Sequence, residues 1–112
     1  MRRGDVYDAR LDPTEGSEQA GVRPVVIVSR DAINTASPVV IVVPLTSAVN
    51  VRRSYPHTAA VAQGDGGLTV DSVALGGQVR AVSKSRLTRR RGRLSDEAME
   101  RLGRALRIAL DL

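Results

Sequence analysis

The chain has 112 residues, a net charge of +5, 42% hydrophobic residues and no cysteine. This length fits a single domain, residues 1–112, because domains of about 100–150 residues are the commonest size. The lack of cysteine excludes disulfides and thiolate metal sites. No apolar run approaches the ~20 residues that cross a bilayer, and the N-terminus does not resemble a secretory signal. We therefore expect a cytoplasmic protein without a membrane segment.

The charge is unevenly distributed along the chain. Residues 80–93 contain seven basic residues and no acidic one, and 16 of the 17 basic residues are arginine. A positive surface attracts polyanions, and the planar guanidinium suits phosphate groups. An arginine-rich genome would explain the arginine excess equally well. The aromatic residues are Tyr7 and Tyr55, so a row of stacking rings for nucleic acid is excluded.

Most of the chain before residue 82 is predicted to form short β-strands separated by turns, because runs of β-branched residues alternate with polar or Gly-rich runs. The predicted strands cover residues 4–11, 24–29, 38–45, 57–62, 68–75 and 78–82. Long loops are predicted at 12–22 and 46–56, and one helical turn at 30–37. Strands 24–29 and 38–45 are apolar throughout, which predicts burial on both faces. The last two strands flank Gly76 and Gly77, which predicts a hairpin.

The final segment is predicted to form a long helix. Ser95 is a good N-cap, and Leu94 and Met99 have the spacing of a hydrophobic staple. Apolar residues recur at helical spacing and form the predicted core stripe of Met99, Leu102, Leu106 and Leu110. The predicted fold class is mainly β with a C-terminal helix. We expect a small barrel of five to seven strands, covered by the helix at one end or face, or buried further by dimer formation.

Several common catalytic arrangements are absent from the sequence. His57 is the one histidine, so a ribonuclease with a histidine acid and a histidine base cannot be built within one chain. We expect His57 to be structural or exposed. No residues have metal-ligand spacing, and no Gly-rich phosphate loop or nucleophile elbow is present, so no cofactor is expected. Any enzymatic chemistry must use the arginine, hydroxyl and amide groups of residues 16–24 and 44–47, which lie at the ends of apolar strands.

Several short motifs lie in a distinctive order along the chain. They are GDVY from Gly4, LDP from Leu11, GSEQAGVRPVVIVS from Gly16, VVPLTS from Val42, QVR from Gln78 and SRL from Ser85. In order and spacing these motifs resemble the MazF/PemK toxin family, and the match covers essentially the whole chain. The resemblance implies an SH3-like barrel with a terminal helix that forms a homodimer. It also implies a MazE-like antitoxin partner, together with which such toxins bind DNA.

The resemblance assigns roles to particular residues. The family's key arginine falls on Arg23 and its key threonine on Thr46, which are therefore the predicted catalytic residues. The predicted substrate-binding residues are Ser17, Gln19, Ser47, Gln78, Arg80 and Arg86. The chain departs from the family pattern at Ala20, where the loop holds no aromatic ring. Base stacking would therefore be weaker, or would fall to Tyr7, Tyr55 or arginine planes.

The implied reaction is metal-independent cleavage of single-stranded RNA. A 2′-hydroxyl attacks the adjacent phosphorus, which leaves a 2′,3′-cyclic phosphate and a 5′-hydroxyl. Arg23 would donate two hydrogen bonds to the phosphate oxygens, a contribution of about 3–4 kcal/mol. Arginine keeps its proton at physiological pH, so Arg23 acts as a charge stabiliser or a proton donor rather than a base. Thr46 would bind the phosphate or orient the attacking hydroxyl, and the sequence does not identify the base.

Two other functions fit parts of the sequence. A non-catalytic toxin of the same fold would bind a protein target such as DNA gyrase through a C-terminal segment, but this chain ends in IALDL, without an aromatic residue to insert. A basic RNA-binding module fits the charge but leaves the motif at 16–23 unexplained. The arginine-rich stretch 89–93 is either a solvated surface or a contact for RNA or the antitoxin.

Overall fold

The computed structural model describes residues 1–11, 16 and 21–112, and these residues are mainly in β-strands. The strands are β1 (Asp5–Arg10), β2 (Val22–Ile27), β3 (Val39–Ser47), β4 (Thr58–Val61), β5 (Ser72–Leu75), β6 (Arg80–Ser83) and β7 (Leu87–Arg93). The α-helices are α1 (Asp31–Ala36) and α2 (Asp96–Leu110). The predicted fold class, mainly β with a C-terminal helix, is confirmed. The predicted substrate-binding residues Ser17 and Gln19 lie outside the described residues.

The strands form an antiparallel sheet in which β3 is shared by three neighbours. The strand order is β4-β5-β3-β2-β1-β7, and β6 pairs separately with β3. The first half of β3 pairs with β6, its middle with β2 and its end with β5. A strand of nine residues can pair with three neighbours, because each neighbour pairs with only three or four of its residues. β3 therefore joins the two parts of the sheet.

The hairpin predicted between residues 68–75 and 78–82 is wrong. β5 and β6 both pair with β3, with Leu45 opposite Ala74 and Val42 opposite Arg80, and they do not pair with each other. A 3₁₀ turn at Gly76–Gln78 carries the chain from one part of β3 to the other. The alternating pattern marks a strand correctly, but it does not identify the partner strand.

β2 separates two apolar clusters. Val26 belongs to a cluster that also includes Leu102 of α2, whereas Val25 and Ile27 belong to a second cluster on the other face. Burial on both faces, predicted for residues 24–29, is therefore confirmed for Val25, Val26 and Ile27, whereas Val22 and Arg23 at the start of β2 are exposed. For residues 38–45 the same prediction is wrong in the first half, because Val39 and Ile41 are 40% and 38% exposed. The described residues leave that face of β3 open.

The helical turn predicted at residues 30–37 is confirmed as α1, and hydrogen bonds fix it to the sheet. The Asn34 side chain is buried, and its amide donates to the Ser29 carbonyl oxygen at 2.8 Å. The Ser29 hydroxyl accepts from the backbone N–H of Ile41 at 3.0 Å. At the start of α1, the backbone N–H of Arg3 donates to Asp31 at 2.7 Å, and this hydrogen bond holds the pKa of Asp31 below its usual value.

Ser95 caps α2 as predicted, by accepting the backbone N–H of Ala98 at 3.2 Å. The Asp65 carboxylate in turn accepts both the backbone N–H and the hydroxyl of Ser95, each at 2.7 Å. The core stripe is wrong at its end, because Leu110 is 51% exposed and the last turn of the helix lies beyond the core. The helix residues that lie in or against the core are Ala98, Met99, Leu102, Ala105 and Leu106.

The arginine-rich stretch 89–93 lies in β7 and pairs with the acidic residues of β1. Asp8 contacts Arg89 at 3.2 Å and Arg91 at 3.3 Å, and Asp5 contacts Arg90 at 3.2 Å. Opposite charges on neighbouring strands stabilise a sheet. This stretch therefore has a structural role in holding β7 against β1, which neither sequence-based interpretation included.

A 3₁₀ turn at Asp65–Gly67 packs against the outer strand β7. A Cβ added at Gly67 would lie 2.2 Å from the carbonyl oxygen of Arg91, and the φ angle of Gly67 is +73°. Glycine is therefore required both for space and for the left-handed backbone. Because Asp65 also binds Ser95, the turn connects β7 to the start of α2.

Replacing Gly67 with alanine should lower the free energy of unfolding by about 3 kcal/mol, since the left-handed backbone costs roughly 1–2 kcal/mol and the clash roughly 1–3 kcal/mol. Gly64→Ala is the matched control, because its φ is +92° but a Cβ there meets nothing within 4 Å. It should show the backbone cost alone. Urea unfolding measures both variants, and equal losses would contradict the packing of the turn on β7.

Candidate active site

A cleft opens where β2 and β3 separate. Their last pair toward this end of the sheet is Val25 with Pro44, after which β3 pairs with β5 instead. Pro24 and Pro44 have no N–H to extend the ladder between the two strands. Continued by two residues, the same register would place Arg23 opposite Thr46. The two predicted catalytic residues therefore lie on the two strands that separate, Arg23 on β2 and Thr46 on β3.

The cleft between the separating strands has a volume of about 200 Å³ and is lined by Arg23, Thr46 and Ser47, among others. Thr46 is only 8% exposed, whereas the Arg23 side chain is exposed. Arg91 lines the same cleft, and its guanidinium donates to Asp8 and to the Gly67 carbonyl oxygen, each at 3.3 Å. A hydroxyl held by the core and an exposed guanidinium therefore share one cleft.

A second and larger cleft, of about 520 Å³, also includes Thr46 in its lining. It brings in Gln78, which the sequence predicts to bind substrate, so Thr46 stands where the two clefts meet. Tyr55, one of the residues to which base stacking was expected to fall, lines it as well, together with loop residues that were not predicted as site residues: Asn50, Arg52, Arg53 and His57. The length of that loop, directly after the predicted catalytic threonine, is the sequence signal that could have identified them.

The loop after β3 carries a small stack of rings. The Tyr55 and His57 rings lie 5.2 Å apart between centroids and 23° from parallel, and the Arg53 guanidinium is 5.9 Å from the Tyr55 centroid. His57 is half-buried rather than exposed, and it lines the same cleft as Thr46. The expectation that His57 is structural or exposed therefore missed its position in the cleft.

Two predicted substrate-binding residues lie elsewhere. Arg86 lines a separate cleft with Arg10, and its guanidinium donates to the Arg10 carbonyl oxygen at 3.1 Å. Arg80 lies on β6 opposite Val42 and is in neither of the clefts that Thr46 lines. The structure thus brings together Arg23, Thr46, Ser47 and Gln78, but it does not bring Arg80 and Arg86 into the same clefts.

The two clefts at Thr46 are positive. Their described lining includes four arginines and no carboxylate: Arg23, Arg52, Arg53 and Arg91. Within the described part of the chain, no group of three or more His, Cys, Asp or Glu side chains could hold a metal ion. No described helix is long and apolar enough to cross a membrane. The clefts therefore offer hydroxyl, amide and guanidinium groups, which suit an anionic ligand such as a phosphodiester.

Comparison with known proteins identifies the family. The family model described as PemK-like, MazF-like toxin of type II toxin–antitoxin systems matches residues 2–110. A protein of Staphylococcus saprophyticus named Endoribonuclease MazF is 43% identical over 112 residues, which cover 100% of this chain and 92% of that protein.

Solved structures agree with this result. A mycobacterial endoribonuclease, solved in complex with its cognate antitoxin, is 27% identical with a TM-score of 0.83, covering 100% of this chain and 96% of that one. MazF of Deinococcus radiodurans, 22% identical, shares the fold with a TM-score of 0.84 over 100% of this chain and 97% of its own. The chain therefore belongs to the PemK/MazF family of endoribonuclease toxins of type II toxin–antitoxin systems.

Proposed function

We propose that the chain, as a single domain of residues 1–112, is a sequence-selective toxin that cleaves single-stranded messenger RNA without a metal ion. The observation that carries this proposal is the cleft at the separation of β2 and β3, which Arg23 and Thr46 line together. The products are a 2′,3′-cyclic phosphate and a 5′-hydroxyl. Use of the 2′-hydroxyl as the nucleophile makes DNA inert as a substrate.

Arg23 and Thr46 have different roles at the scissile phosphate. The Arg23 guanidinium donates two hydrogen bonds to the non-bridging oxygens, where negative charge increases as the 2′-oxygen attacks. Thr46 is fixed by its position in the buried part of β3, so its hydroxyl binds the phosphate or orients the 2′-hydroxyl without losing much side-chain entropy. The positive lining of both clefts attracts the RNA backbone.

The remaining predicted residues bind the RNA around this centre. Ser47 and Gln78 line the clefts at Thr46 and contact the nucleotides next to the cut. Ser17 and Gln19 belong to the segment before Arg23 and read bases. Arg80 and Arg86 lie outside the two clefts and bind backbone phosphates further along the strand.

The toxin acts in the cytoplasm as a homodimer and is neutralised by a MazE-like antitoxin, with which it also binds DNA. The mycobacterial neighbour was solved with its cognate antitoxin, which supports an antitoxin partner here. The exposed side chains of Ile108, Leu110 and Leu112 at the end of α2, and of Val39 and Ile41 on β3, provide apolar surface for such contacts.

A non-catalytic toxin that binds a protein target such as DNA gyrase is the alternative. Such a toxin would not need a guanidinium and a hydroxyl group in the same cleft. The cleft that Arg23 shares with Thr46 favours the enzyme.

Purified protein should cut single-stranded RNA in the presence of EDTA, because the arginine supplies the charge stabilisation that a metal would otherwise provide. The same RNA with a single 2′-deoxynucleotide at the cut site should resist cleavage there, since it lacks the nucleophile. Gel analysis and end-group mapping measure both. Cleavage that requires magnesium, or that survives the deoxy substitution, would overturn the mechanism.

Arg23→Ala should lower kcat by about 10²–10³-fold, because one preorganised donor to the developing charge is lost. Thr46→Val, which keeps the side-chain shape but removes the hydroxyl, should also be impaired, whereas Thr46→Ser should retain most activity. Arg107→Ala, an exposed arginine on α2, is the matched control and should cleave normally. If Arg23→Ala cuts as fast as the control, the assignment of the site is wrong.

At micromolar concentration, light scattering should give a mass of twice the 12.0 kDa chain. The physical reason is the exposed apolar surface on β3 and at the end of α2, which a second copy would bury. A stable monomer would contradict the proposed homodimer.

A further inference from the structure

The proposed reaction needs a group that removes the proton from the 2′-hydroxyl. Arginine and threonine do not accept protons readily at neutral pH. In the described lining of the two clefts at Thr46 there is no aspartate or glutamate, and a single histidine, His57. An imidazole is the side chain best suited to general-base catalysis near neutral pH. Among the described residues that line these clefts, His57 is therefore the side chain best suited to act as the base.

The His57 ring is held in place on two sides. One face stacks on Tyr55, with centroids 5.2 Å apart. On another side, a Cβ added at Gly77 would lie 3.1 Å from Cδ2 of His57, so the ring packs closely against a backbone without a side chain. Its own carbonyl oxygen packs against Gly76 in the same way. A ring with fixed orientation costs little entropy when it meets its substrate.

The nitrogens of the His57 ring remain available for substrate. Among the described residues, no hydrogen bond is made to either nitrogen, although the residue is half-buried. The position of the ring in a cleft shared with Thr46 gives those nitrogens a natural partner, the sugar of a bound nucleotide.

The charged groups that line the cleft around the ring come from the loop after β3. Arg52 and Arg53 line the cleft from this loop, and the Tyr55 phenol belongs to the stack. The turn at Gly76–Gln78 and the end of β3 contribute Gln78 and Thr46, which carry no charge. None of these described groups is a carboxylate that would hold His57 as a cation.

We propose that His57 is the general base of the cleavage reaction, an assignment that rests on the proposed function. A neutral ring nitrogen takes the 2′-hydroxyl proton while the bond from the 2′-oxygen to phosphorus forms. The bond from phosphorus to the 5′-oxygen breaks, and the 5′-oxygen takes a proton from water. The imidazolium then returns its proton to solvent. The sum is a transesterification that needs no oxidant and consumes no water.

Two His57 variants separate proton transfer from stacking. His57→Phe keeps a ring against Tyr55 but cannot accept a proton, and it should lower kcat by about 10²-fold or more with little change in KM. The pH profile of wild-type kcat should contain a rising limb that is absent in His57→Phe, because a general base must be unprotonated to accept the proton. A His57→Phe variant with the wild-type kcat and pH profile would show that the ring only stacks.

Chemical rescue provides a readout that a structural role would not affect. Free imidazole should raise the rate of His57→Ala in proportion to the concentration of the unprotonated form. Arg23→Ala is the matched control and should not respond. If His57→Ala is not rescued and is unfolded by circular dichroism, the comparison is made on His57→Gln, which retains polar atoms and a similar volume; wild-type activity of folded His57→Gln would overturn the proposal.

A modified substrate distinguishes a base from an acid. RNA with a bridging 5′-sulfur at the cut site has a leaving group that departs without a proton. The defect of His57→Phe should persist on this substrate, because removal of the 2′ proton is still required. Recovery of the wild-type rate would instead assign His57 to protonation of the leaving group and contradict the proposal.

These outcomes are separable from failure of the proposed function. If wild-type protein does not cut RNA, or cuts it at a 2′-deoxynucleotide, the function itself is wrong and with it the role of His57. If the wild type cuts only where a 2′-hydroxyl is present and all His57 variants match it, the function stands and the assignment of the base fails alone.

Discussion

The separation of β2 from β3 at Pro44 is the constraint on which the rest of the structure depends. β3 has nine residues and serves three partners, so it must exchange β2 for β5 along its length. A proline at the exchange point cannot donate to a ladder and therefore does not oppose the separation. The result is a gap in the sheet whose two sides are fixed by buried valines. Arg23 and Thr46, the proposed catalytic pair, line that gap.

The exchange of partner strands along β3 also explains how a small domain can hold the residues around the cleft rigidly. Val42 and Val43 are neighbours on β3, but they belong to apolar clusters on opposite faces. Thr46 lies three residues after Val43 on the same strand, so the packing of these valines also restrains its backbone. A close-packed interior leaves little room for backbone movement in the residues that directly follow a buried segment. The core thus fixes the position of Thr46 in the cleft, which the exposed side chain of Arg23 also lines.

Arginines in this chain serve two distinct purposes that composition alone cannot separate. Those of β7 face Asp5 and Asp8 on β1 and stabilise the sheet. Those of the loop after β3 line the cleft without a carboxylate among the described neighbours. Of the seven basic residues at 80–93, Arg89, Arg90 and Arg91 pair with the two carboxylates of β1. Arg91 also lines the smaller cleft at Thr46, and Arg52 and Arg53, outside that run, line the larger one.

The sequence was sufficient for the fold class, for α1 and for the start of α2, because these depend on local signals such as β-branched runs and an N-cap serine. It failed for the partners of β5 and β6, since alternation marks a strand but pairing is decided by distant residues. Arg23 and Thr46 were identified by family motifs. His57 was expected to be structural or exposed, and its position in the cleft that Thr46 lines could not be predicted, because it depends on how the loop folds back over Gly77.

The pairing of β1 with β7 has a consequence for how the toxin is made. β1 lies between β2 and β7, so the strand that supports Arg23 gains its second neighbour only when residues 87–93 are available. Contacts between such distant parts of a chain form slowly and late. Arg91 of β7 also lines the cleft at Arg23 and Thr46. The cleft is therefore complete only when this distant strand has joined the sheet.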